Sequence, residues 1–134
     1  LPPRIRDVCK EAEERSVHRN RMDLIIAMNY GGRKEITDAC RKVASLVSGG
    51  EVTVEDIDEA MISRNLYLPD VPDPDLIIRP SGEQRLSNFL IWEAAYAEMW
   101  FSNTLWPDFG MDDLKNAIAE YTKRDRRFGG LNES

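Results

Sequence analysis

The chain has 134 residues, of which 42% are hydrophobic and 31% charged. That length fits one domain, and the apolar fraction supports a packed core rather than disorder. With 24 acids against 18 bases the net charge is -6, which excludes a general nucleic-acid binder, since such proteins carry a basic surplus.

Leu1-Pro2-Pro3 opens the chain with no initiator Met and no basic-then-apolar leader pattern. A trimmed chain, a separate domain and a processed product are all open readings. Pro2 and Pro3 suit a helix start, with Ile5, Val8, Cys9 and Ala12 at helical spacing. The run Leu24-Ile25-Ile26-Ala27-Met28 is continuously apolar, which predicts a strand buried on both faces of a parallel sheet. Asn29-Tyr30-Gly31-Gly32-Arg33 is then a sharp, glycine-rich turn before a helix, a weak candidate for a phosphate-facing loop.

From Lys34 the period becomes helical, with a predicted stripe of Ile36, Ala39, Cys40, Val43, Ala44 and Val47, stopped by Ser48-Gly49-Gly50. Thr53 and Asp56 have capping-box spacing before a short helix carrying Ile57, Ala60 and Met61. A proline-rich loop spans 68–74, and a short strand Leu76-Ile77-Ile78 follows. Ser87-Asn88 opens an apolar, aromatic stretch through Tyr96, read as a helix with Ser87 at its start. Met99-Trp100-Phe101 predicts a further strand. The last helix has the stripe Leu114, Ala117, Ile118 and Tyr121, with Lys123, Arg124, Arg126 and Arg127 opposing its dipole. Residues 128–134 are expected to be a mobile tail. The alternation of helices and strands predicts an α/β fold, a parallel sheet flanked by helices, in a single partial domain spanning 1–134.

Ligands in such sheets bind beyond the carboxyl ends of the strands, so the loops after Met28, Ile78 and Phe101 are where chemistry is sought. The strongest local pattern is Arg79-Pro-Ser-Gly-Glu-Gln-Arg85-Leu-Ser87-Asn88. Guanidinium groups match phosphate oxygens with two-pronged donors, glycine permits close backbone approach, and a helix start adds free N–H groups. These make a phosphate or diphosphate cradle. The alternative is an ordinary loop in which Ser87 caps a helix and the arginines pair with surface acids. Glu98 becomes useful near a diphosphate if Mg²⁺ bridges the two. Cys9 and Cys40 read as buried thiols of a reducing compartment, and His18 as a surface residue. Trp92, Trp100 and Trp106 suit the core or a subunit interface. No P-loop, zinc-ligand spacing or serine-hydrolase elbow occurs, and no apolar run approaches the roughly 20 residues of a membrane helix.

The stretch Asp75-Leu-Ile-Ile-Arg79-Pro-Ser-Gly-Glu-Gln-Arg85-Leu-Ser-Asn-Phe-Leu-Ile-Trp92, continuing to Ala95-Tyr96-Ala-Glu98, resembles the signature of the cis-prenyl diphosphate synthases. Asn29-Tyr-Gly-Gly-Arg33, Leu105-Trp-Pro-Asp-Phe109 and Arg126-Arg-Phe-Gly-Gly130 extend the resemblance over nearly the whole chain. It implies condensation of isopentenyl diphosphate with an allylic diphosphate such as farnesyl diphosphate, with Mg²⁺ as cofactor. The product would be a polyprenyl diphosphate of the kind used as a cell-wall lipid carrier. It also implies a homodimer, cytoplasmic and peripheral at the membrane, with no nucleic-acid partner. Carried over by motif, Arg79, Arg85, Leu86 and Ser87 bind the diphosphate of isopentenyl diphosphate, and Glu98 helps hold the metal. Arg127 and Gly129 would reach the partner subunit's substrate.

Two departures stand out. Pro80 occupies a position where many relatives carry Thr or another small residue, and it lacks an N–H. The family's Asp-Gly-Asn-Gly-Arg-type loop, which binds the allylic diphosphate and supplies a Mg²⁺-linked Asp, does not occur in this chain. The chain is therefore expected to carry the second, isopentenyl diphosphate half of a synthase, with no catalytic residue of its own, and to be inactive alone. A non-catalytic partner subunit of a prenyltransferase dimer is the alternative.

Overall fold

The structure is a computed structural model that describes residues 2–124. The expected 128–134 tail, Arg127 and Gly129 lie outside the described residues. The chain divides into two compact units, Leu1–Tyr30 and Gly31–Ser134.

In the first unit, helix α1 spans Pro3–Ser16, with Pro2 at the N-cap. Proline suits this start because the first helical N–H groups have no intrahelical acceptor. The pairs Lys10–Glu14 and Arg15–Glu11 lie one turn apart at 3.9 and 3.6 Å, which supports the helix weakly because they are exposed. The expected strand at 24–28 does not form: these residues have no regular secondary structure, and Leu24 and Ile26 are exposed. An apolar run is strand-compatible, but a strand exists only where a neighbour completes its ladder of hydrogen bonds.

The second unit begins with α2, Gly32–Ser48. Its C-terminus closes by a Schellman pair: the Gly50 N–H donates to Val47 O and the Glu51 N–H to Leu46 O, with Gly50 at φ 73°. The buried line of α2 is Gly32, Glu35, Ala39 and Val43. It shares Ala39 and Val43 with the predicted stripe but takes in Gly32 and Glu35 and leaves out Ile36, Cys40, Ala44 and Val47. Cys40 consequently faces solvent and Cys9 is half-buried, so neither is the fully buried thiol expected from sequence.

Thr53 and Asp56 form the capping box, around a short 3-10 turn at Val54–Asp56. Helix α3, Glu59–Arg64, starts instead at Asp58, whose carboxylate accepts the Met61 N–H at 2.7 Å. Two strands follow, β1 at Leu76–Arg79 and β2 at Glu98–Phe101. They pair in parallel, Leu76 opposite Glu98 and Arg79 opposite Phe101. Helix α4, Met111–Tyr121, lies against β2. The apolar core is Ala39, Val43, Met61, Leu66, Ile77 and Ala117. Glu35 is buried among them at 2% exposure, and its carboxylate accepts the Tyr67 N–H at 2.9 Å.

Asp38 on α2 gathers three donors: Lys34, the Tyr67 hydroxyl and Arg41. The Lys34 hydrogen bond first, then that of Tyr67, hold its pKa down from 3.8 to about 2. A lowered carboxylate pKa favours the folded state above the unfolded value and loses that contribution as pH falls through the folded one. Unfolding midpoints measured in urea should therefore drop between about pH 4 and pH 2. Asp38→Asn should flatten that part of the profile.

Candidate functional site

The site forms where β1 ends. Arg79 is the last residue of that strand, and its main chain is pinned by the sheet: the Ser102 N–H donates to Arg79 O at 3.0 Å. Pairing continues past the strand end, with Ser81 N–H donating to Thr104 O and Gly82 N–H to Ser102 O, both at 2.8 Å. Gly82 at φ 70° turns the chain away, and its missing side chain leaves room beside Asn103.

Pro80 costs this arrangement nothing. Flanking the strand ladder, the bonds to the β2 side come from Asp75 O, Arg79 O and Ser81 N, and past the bend at Ser81 from Gly82 N. Alternate residues of a strand face alternate neighbours, so an N–H at position 80 would point to the other edge. Proline is tolerated at such edge positions.

Beyond Gly82 the chain forms no helix at Ser87. Ser87, Asn88 and Leu90 adopt φ of 50°, 66° and 45°, a left-handed run that no right-handed helix can contain. The only regular piece before β2 is a 3-10 turn at Glu93–Tyr96. The expected anion site at a helix start beginning at Ser87 is therefore replaced by a strained loop.

That loop and the sheet line a half-open cavity of about 270 Å³. Arg79 and Arg85 are among its lining residues, together with the apolar Ile77, Leu86, Phe89 and Met99. Of the residues singled out from sequence, Arg79, Arg85 and Leu86 thus meet at one place. Ser87 adjoins Leu86 in the chain but is exposed and does not line the cavity. Arg85 is exposed and forms an ion pair with Glu83. Removing that competitor by Glu83→Gln should raise affinity for inorganic diphosphate several-fold, measured by isothermal titration.

Glu98 lies elsewhere. It opens β2 opposite Leu76, three residues from Arg79, or about 10 Å along the strand at ~3.3 Å per residue. Its Oε2 accepts a hydrogen bond from Arg124 Nη1 at 2.7 Å. Arg124 also donates to Met99 O at 2.9 Å. Among the described residues no group of three or more His, Cys, Asp or Glu side chains could hold a metal ion. Glu93 is part-buried near Glu35; burial first, then the Glu35 charge, pushes its carboxyl pKa up.

The tryptophans tie elements together. Trp92 Nε1 donates to Ser63 Oγ at 3.0 Å, and Trp100 Nε1 donates to Glu120 at 2.9 Å. Trp106 stacks on Phe109 at 5.9 Å yet stays 70% exposed.

The pocket is lined by two arginines and by apolar side chains, and residues 1–129 match the undecaprenyl diphosphate synthase family model. The chain belongs to that family. An isoprenyl transferase of Heliobacterium mobile is 50% identical over 98% of this chain and 50% of its own length. One from Thermotoga maritima is 53% identical over 98% of this chain and 55% of its own. Among solved structures, lavandulyl diphosphate synthase from Lavandula x intermedia, in complex with dimethylallyl diphosphate, superimposes with a TM-score of 0.88. It is 42% identical and covers 96% of this chain, which spans 56% of that one. A probable undecaprenyl diphosphate synthase from Campylobacter jejuni gives a TM-score of 0.78 at 34% identity, over 96% of this chain and 58% of its own. The chain thus spans about half the length of the curated relatives it matches. These likenesses bear out the α/β fold and the prenyltransferase resemblance. Among the described residues no helix is long and apolar enough to cross a membrane.

Proposed function

We propose that this chain carries the isopentenyl diphosphate site of a cis-prenyl diphosphate synthase. The observation that supports this reading is the pairing, in one cavity, of Arg79 and Arg85 with the apolar side chains of Ile77, Leu86, Phe89 and Met99. The arginines bind the diphosphate, and the apolar side chains take the five-carbon chain. Arg79, fixed at the strand end, sets the position of the anion; Arg85, on the loop, closes on it.

In the proposed reaction of the whole protein, an allylic diphosphate loses its diphosphate. A carbon–carbon bond forms to the alkene of isopentenyl diphosphate, which gives up a proton as the new double bond forms. Holding the isopentenyl unit in place turns part of that encounter into a local step. The allylic substrate is a prenyl diphosphate such as farnesyl diphosphate. The proposed assembly is a homodimer, for which exposed Phe101, Leu105 and Trp106 offer apolar surface, and the protein is cytoplasmic, working at the membrane surface where its lipid product goes.

Magnesium enters this proposal as the cation that accompanies the diphosphate. Glu98 is the carboxylate proposed to help hold that cation, and in this structure it is paired with Arg124.

Calorimetric titration of the chain with isopentenyl diphosphate and with inorganic diphosphate, each with and without Mg²⁺, tests the reading. Isopentenyl diphosphate should bind more tightly, because only it can bury a hydrocarbon tail. Equal affinities would reduce the cavity to a general phosphate site.

A further inference from the structure

The start of α2 is capped by a residue far away in the chain. The first N–H groups of a helix lack intrahelical acceptors, and Gly31 at the N-cap has no side chain to offer. Asn88 takes both roles. The Gly32 N–H donates to its carbonyl oxygen at 2.8 Å, and the Arg33 N–H donates to its Oδ1 at 2.9 Å. The two glycines are what this approach requires. A Cβ at Gly31 would lie 2.6 Å from Asn88 Nδ2, and one at Gly32 would lie 3.0 Å from the Ile91 main-chain nitrogen. The Gly-Gly turn is thus a seat for the 85–91 loop, and its donors are spent on that loop rather than on a phosphate.

The loop itself needs holding. Ser87 and Leu90 carry positive φ with Asn88 between them. Such backbone is costly for Ser and Leu and tolerated by Asn, and it persists only where the surroundings impose it. Asn88 sits between two residues of the cavity wall, Leu86 and Phe89, and Arg85 is three residues upstream. The anchor therefore acts at the centre of the segment whose shape makes the cavity.

We propose that Asn88 is the positioning residue of the diphosphate cavity: by capping α2 it holds the Arg85–Phe89 loop in its left-handed shape. This rests on the cavity being a diphosphate site. Asn88→Ala removes the Oδ1 acceptor and the residue type that tolerates this backbone. Asn88→Asp keeps both, since Asp also caps helices and accepts the left-handed region. Gly31→Ala leaves Asn88 in place but drives its side chain off the helix start.

The experiment titrates inorganic diphosphate into the full chain and its variants, and follows backbone amide hydrogen exchange alongside. Asn88→Ala and Gly31→Ala should weaken binding about tenfold and speed exchange in 79–91, with α3 and α4 still protected. Asn88→Asp should return affinity to within about twofold of the parent. Parent-like binding by Asn88→Ala, while Arg79→Ala and Arg85→Ala bind weakly, would overturn the positioning role and leave the site standing. Failure of Asn88→Asp to rescue would overturn it too. Parent-like binding by both arginine variants would overturn the site and the inference together.

Discussion

Replacing Arg85 with alanine lowers affinity for inorganic diphosphate by about ten- to a hundredfold and leaves the unfolding temperature nearly unchanged. A hydrogen bond to a charged group is worth about 1.5–3 kcal/mol, and 1.4 kcal/mol is a factor of ten in binding. Arg85 is exposed and its ion pair is with Glu83, its near neighbour in the same loop, so the fold loses little with it. Arg79→Ala should weaken binding at least as much, because its backbone is fixed by the ladder and less ordering is needed on binding. Calorimetry reads the affinities and circular dichroism the melting. Unchanged binding in both variants would remove the arginines from the site.

Ala117→Leu destabilises the fold by about 1–3 kcal/mol, the usual cost of forcing methylenes into a filled core. Ala117 is fully buried, on the helix that packs against β2. Leucine there forces a shift of α4 or of the groups packed around it, and β2 is the strand that α4 lies against. Because β2 is the partner that fixes Arg79, the variant should also bind diphosphate more weakly than its residual folded fraction explains. For a chain of this size the melting point should fall by several degrees. Ala119→Leu, on an exposed part of the same helix, is the matched control and should be near neutral.

Both strands could be read from sequence because each is a short apolar run ended by a turn, and each found the other as partner. The run at Leu24–Met28 has the same chemistry and remains irregular, since composition gives strand preference and not a neighbour. The cationic pair Arg79 and Arg85 was visible as a motif, and the structure places both on one cavity. The hydroxyl of Ser87 and the aromatic stretch behind it favour a helix start there. What defeated it is a left-handed backbone held from α2, 55 residues away in sequence. Local reading cannot see such a cap, although Asn88 before an apolar residue and a Gly-Gly pair upstream were its two traces. The partner of Glu98 was hidden in the same way: Arg124 read as dipole compensation, and folding brings it to a carboxylate 26 residues before it.

Parallel strands cannot be joined by a hairpin, and the link between β1 and β2 runs from Pro80 to Ala97. That link includes the arginine loop, so binding and folding draw on the same segment. A ligand that orders the loop also favours the strand pairing that the loop connects. If inorganic diphosphate binds only the folded chain, a hundredfold excess over Kd adds about 2.7 kcal/mol to stability. A chain held in this way should resist proteolysis better with diphosphate bound than without it, so the segment that would grip the anion also sets how long the folded chain survives.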